Sequence, residues 1–91
     1  MKKEKNFVFL EKTEKIIEYL ESKNWSIDRI DSLLNKDLMY VYDIKGMMFT
    51  IEVTSNSDNI EVLSTYIDRG KPVSCSISCK SLEELFIALK I

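Results

Sequence analysis

Histidine is missing from this chain, and glycine (two), cysteine (two) and proline (one) are scarce. Without histidine there is no side chain whose ordinary pKa straddles neutrality, which removes the commonest general base and a frequent metal ligand. Gly46 and Gly70 stand far apart and each reads as a turn residue, so no glycine-rich phosphate cradle can form. Cys75 and Cys79 would lie about 13 Å apart on an extended strand, too far for a disulfide. They fall in phase with Val73 and Ile77, which predicts two small core hydrophobes kept reduced, and a metal site would need ligands the chain does not supply. Long hydrophobic runs are missing too. Phe7 to Leu10 ends at Glu11, well short of the roughly 18 residues of a membrane span and too short for a secretory core. The expectation is a cytoplasmic protein with no membrane contact and no cofactor.

What remains is the composition of one compact domain. The 91 residues are 45% hydrophobic and 31% charged, which suits a single α+β domain over 1–91 and leaves no room for a second core. Lys2, Lys3, Lys5 and Lys12 outweigh Glu4 and Glu11, so residues 1–6 read as a flexible basic arm on an acidic body. A duplex-binding surface needs clustered Lys and Arg. None follows Lys5, and direct nucleic-acid binding is not expected.

Hydrophobic periodicity gives the elements. Leu10, Ile16, Ile17 and Leu20 recur at helical spacing, with charges opposite, and predict a helix from Phe9 or Leu10 to about Lys23, where Asn24 can take the left-handed terminal position. Residues 25–35 fit a strand, by Trp25 and Ile27, or a helix, by Ile27, Ile30, Leu33 and Leu34. A tryptophan directly after a helix terminus favours a strand turning back under that helix. A two-residue turn at Lys45 and Gly46 would pair Tyr42 with Phe49, Tyr40 with Ile51 and Leu38 with Val53, giving one apolar face. Asp68-Arg69-Gly70-Lys71 predicts a second turn, pairing Tyr66 with Val73, Ser64 with Cys75, Val62 with Ile77 and Ile60 with Cys79. Ser81-Leu82-Glu83-Glu84 is a capping box, opening a helix to about Lys90 with Leu82, Leu85, Phe86 and Leu89 on one side. The predicted fold is a helix, an antiparallel meander of four or five strands and a closing helix, both helices on one sheet face.

That layout leaves the opposite face open. The register above places Met39, Val41, Met48 and Leu63 there as an apolar patch, together with Asp43, Thr50, Glu52, Glu61, Thr65, Ile67 and the strand serines Ser74, Ser76 and Ser78. Polar residues on such a face usually do no more than keep it wet, but an apolar patch inside a carboxylate rim has the anatomy of a protein-binding surface. Asp28, Asp31, Asp43, Asp58, Glu61 and Asp68 are the acidic candidates for steering onto a basic partner. Asp28 and Asp31 would share a face if their segment were helical, yet a solvated pair is the commoner meaning of that spacing.

The order of helix, strands and helix is similar to that of double-stranded-RNA-binding domains. Those open their closing helix with lysines for phosphate contact, whereas Glu83 and Glu84 stand here, so that function is not carried over. In profile the chain is similar to the small inhibitors of phages and mobile elements, anti-CRISPR proteins among them. That likeness implies a non-enzymatic inhibitor that blocks a larger protein or nucleoprotein with a basic surface. The alternative is an adaptor or secretion-chaperone-like protein that dimerises through the open sheet face. A monomer and a homodimer are both compatible with the sequence.

Overall fold

The computed structural model describes residues 9–56 and 58–90, and the expected basic arm at residues 1–6 lies outside them. Helix α1 (Glu11–Ser22) leads into five strands and a short closing helix. The strands are β1 (Ser26–Leu33), β2 (Lys36–Tyr42), β3 (Met48–Thr54), β4 (Ile60–Asp68) and β5 (Lys71–Cys79), and the helix is α2 (Leu82–Ala88). The strands form one antiparallel sheet in chain order, β1-β2-β3-β4-β5. This is the α+β layout expected from the sequence, with five strands rather than four.

Both helix ends that the sequence marks are built from local chemistry. Asn24 adopts φ +67°, and the amides of Asn24 and Trp25 donate to the carbonyls of Glu21 and Leu20, closing a Schellman motif. Trp25, the residue after the left-handed one, is buried beside Leu20, which supplies the hydrophobic contact that accompanies the motif. At α2 the Ser81 hydroxyl accepts the Glu84 amide at 3.1 Å, while the Glu84 carboxylate accepts the amide of Lys80, one residue before the cap. At the start of α1 the N-cap residue, Leu10, offers no side-chain cap. Asp37 of β2 fills the role, its carboxylate accepting the Leu10 amide and the Ser32 hydroxyl, both at 2.9 Å, which places a negative charge at the positive end of the helix.

Residues 26–33 are strand, with a bulge at Asp28 between the paired residues Ile27 and Arg29. The extra residue explains the ambiguous pattern. It resets the alternation so that Ile27 and Ile30, three apart, both turn to the core.

The core lies between the helices and one sheet face: Ile16 and Leu20 of α1, Leu85 of α2 and Leu89 at its C-cap pack on Met39, Val41, Ile51, Val53, Ile60, Val62 and Cys79. Each such side chain, once fully buried, contributes about 1.5–3 kcal/mol. Tyr19 stacks on Phe86 with ring centroids 3.8 Å apart, joining the helices above the sheet.

One expectation fails here. The β2-β3 ladder pairs Tyr42 with Met48, Val41 with Phe49 and Met39 with Ile51, one residue away from the register predicted. The turn is longer than two residues. The Gly46 amide donates to the Asp43 carbonyl and the Asp43 amide to the Met47 carbonyl, leaving Ile44, Lys45 and Gly46 as the loop, with Gly46 at φ +90°. The Asp43 carboxylate accepts the amides of Lys45 and Met47 at 2.9 and 2.8 Å and fixes this geometry. A two-residue primed turn would need positive φ at Lys45 as well as at Gly46; the three-residue loop needs it of Gly46 alone and lets Asp43 bond two turn amides. Because side chains alternate, the slip turns β2 over.

Candidate functional site

The slip changes which residues can meet a partner. Met39 and Val41, expected on the open face, are fully buried, because that parity brings them under the helices. They are core residues and cannot bind anything. In their place Leu38, Tyr40 and Tyr42 reach the open face, each half-buried. The chemistry favours this arrangement, since a tyrosine keeps its hydroxyl wet while laying its ring flat, whereas Met and Val carry no polar atom that burial would strand.

The ladder pairings place the remaining residues in rows across the face. One row runs Arg29, Tyr40, Thr50, Leu63 and Ser76; the next runs Asp31, Leu38, Glu52, Glu61 and Ser78. Met48 and Leu63 are 39% and 43% exposed, so these two of the expected apolar residues are where the sequence put them. The Arg29 guanidinium lies over the Tyr40 ring, 4.7 Å from its centroid, and 3.5 Å from the Asp31 carboxylate. Hydrogen bonding to Tyr40 and, second, the charge of Asp31 push that guanidinium above its ordinary pKa, so it stays charged.

Glu52 and Glu61 are directly opposed on adjacent strands. Like charges about 5 Å apart across a ladder destabilise it. Each has a neighbour that lessens the repulsion: Lys36 reaches Glu52 at 2.9 Å, and the Ser78 hydroxyl donates to Glu61 at 2.9 Å.

The other acidic candidates are not brought together. Asp28 is the exposed bulge residue, the Asp43 carboxylate is spent on its own turn, Asp58 lies 3.6 Å from Lys12 of α1, and Asp68 sits at the β4-β5 turn. Of the six, Asp31 and Glu61 share the open face. The acidic rim expected from the sequence is thus a short row, Asp31, Glu52 and Glu61, of which Glu52 was expected on this face but not counted among the acidic candidates for steering. The spacing of Asp43 and Gly46, an aspartate three residues before a glycine, was the signal that could have revealed Leu38, Tyr40 and Tyr42.

The cysteines part company as well. Cys79 is buried under α2, and burial pushes its thiol pKa up, whereas Cys75 is exposed. The β4-β5 ladder runs on to Asp68 and Lys71, while the β3-β4 ladder stops at Phe49 and Ser64. The tip of the hairpin therefore outruns β3, whereas Cys75 and Ile77, opposite Ser64 and Val62, are exposed on the edge strand although they share the phase of the buried Cys79. The side chains of Tyr66 and Ile67 lie outside the described residues.

Among the described residues, no helix is long and apolar enough to cross a membrane and no group of Cys, Asp and Glu side chains is placed to hold a metal ion. Comparison with protein-family models, with curated proteins and with solved structures finds no match to this chain.

Proposed function

We propose that this protein is a small non-enzymatic binding module that occupies a basic surface on a larger protein or nucleoprotein through its open sheet face. The observation that carries the reading is the opposed pair Glu52 and Glu61, set beside Leu38, Tyr40, Met48 and Leu63. An arginine or lysine arriving from a partner would relieve the like-charge repulsion, and the flanking apolar and tyrosine side chains would exclude water around it. Tyrosine contributes large contact area at low entropic cost, which suits it to such a surface. The acidic, histidine-free, single-domain profile favours an inhibitor of the phage or mobile-element kind, anti-CRISPR-like in the way it acts. The exposed thiol of Cys75 is compatible with a reducing cytoplasm.

The test is quantitative capture from host extract on the immobilised full chain. A partner retained by the wild type should be lost with Leu63→Lys and with Glu61→Lys, and kept with Ile87→Lys, which changes an exposed residue on α2. Its association should slow as salt screens the carboxylates beyond about 8 Å. Capture that ignores both face variants, or that fails on Ile87→Lys, overturns the reading. A face-dependent dimer with no other partner would transfer the face to the adaptor alternative.

A further inference from the structure

An open sheet has two edges, and these two are built differently. Strand β1 is a guarded edge, bulged at Asp28 and carrying Arg29 and Asp31. Beyond Pro72, β5 has neither device. Its ladder to β4 runs without irregularity from Lys71 to Cys79, the segment from Val73 to Cys79 carries no charge, and among the described residues β4 is its one neighbour in the sheet.

The turn decides which backbone groups of β5 face outward. Arg69 and Gly70 both have positive φ, +56° and +80°, so Asp68 and Lys71 flank a two-residue primed turn and exchange both backbone bonds. Alternation then directs the N–H and C=O groups of Ser74, Ser76 and Ser78 away from β4. Pro72 falls on the same outward side, where its missing N–H costs the ladder nothing.

About Ser76 the pattern is the same in both directions, Val73-Ser74-Cys75 before it and Ile77-Ser78-Cys79 after it. We propose that β5 pairs antiparallel with β5 of a second copy about a two-fold axis through Ser76, joining two five-stranded sheets into one. Ser76 then faces its own counterpart and Ser74 faces Ser78, so the outward groups of all three serines find partners. On the helix side Cys75 lies against Ile77 of the second copy. Both are exposed in the single chain, Ile77 at 45%, and each covers the other across the axis. No like charges meet. A second copy is favoured over a foreign strand because the edge is self-complementary, and an axis through Cys75 would instead set Pro72 opposite Ser78 and lose a donor. The contact is small, below the roughly 1,200 Å² of a stable interface, so the dimer dissociates on dilution.

Sedimentation equilibrium of the full chain from micromolar to submillimolar concentration should show a reversible dimer. Ser76→Lys, which opposes two ammonium groups across the axis, should abolish it while leaving the melting temperature of the dilute protein unchanged. The register is read by oxidation in a Cys75→Ser background. Ser76→Cys should form an interchain disulfide, because opposed hydrogen-bonded residues lie about 5.5 Å apart at Cα, within disulfide range. Ser74→Cys should not. A chain that stays monomeric throughout, a dimer that survives Ser76→Lys, or a dimer lost on Met48→Lys overturns the proposal. Partner capture that ignores Leu63→Lys and Glu61→Lys, with the dimer intact, overturns the sheet-face reading and leaves this one standing.

Discussion

The hairpins β2-β3 and β4-β5 start from the same two turn residues and end in opposite outcomes. Asp43 precedes Gly46 by three residues, and Asp68 precedes Gly70 by two. In the second, Arg69 and Gly70 both take positive φ and make a two-residue turn, and the register is the one that alternation alone predicts. In the first, Gly46 alone takes positive φ, the loop holds three residues, and β2 is turned over relative to that prediction. A single residue of loop length exchanges a whole strand's faces, since side chains repeat every two residues. The charged turn residue, not the apolar count, makes the difference: both registers of β2 offer an apolar face to β3, but only one lets Asp43 bond two turn amides.

The widest consequence of this comparison is at Met39 and Tyr40. In the observed register Met39→Lys buries an unpaired charge and should prevent folding, seen as loss of the cooperative thermal transition. Tyr40→Lys should still fold. The reverse result would restore the two-residue turn.

Asp37 gives a smaller effect with the same logic. The slip turns it to the core side, where it bonds Leu10 and Ser32, so Asp37→Ala should cost about 2 kcal/mol in urea unfolding. An outward Asp37 would cost next to nothing.

The glycines compare the turns directly. Gly46→Ala and Gly70→Ala should each cost about 1 kcal/mol, since both φ are positive and an added Cβ meets nothing within 4 Å at either site. Negligible loss at Gly46 would mean that its loop does not need the left-handed residue.

The smallest effect is at the far end of the second hairpin. Cys75→Ser should change stability by no more than about 0.5 kcal/mol. Under native conditions a thiol reagent should modify Cys75 quickly and Cys79 only after unfolding, because Cys79 is buried and its raised pKa lowers the thiolate fraction. Equal rates would show that α2 does not seal the Cys79 end.

What could be read from the chain follows from the range of the forces involved. Amphipathic spacing, the Asn24 terminus, the Ser81 cap and the β4-β5 register depend on residues within a few positions of one another, and the sequence determined them. It also determined that one sheet face is open and that Met48, Glu61 and Leu63 are on it. Tertiary structure decided the rest. Helix α1 is capped by Asp37, 27 residues from Leu10, a bond with no local trace. Cys75 follows the core phase yet lies exposed on the edge strand, outside the buried cluster that includes Cys79, so alternation alone does not set where burial ends. For β2 the alternation has period two and both phases are apolar, so the pattern is degenerate. The degeneracy is lifted where the strand meets its turn and the helices above it, which bury Met39 and Val41 and leave the tyrosines to solvent.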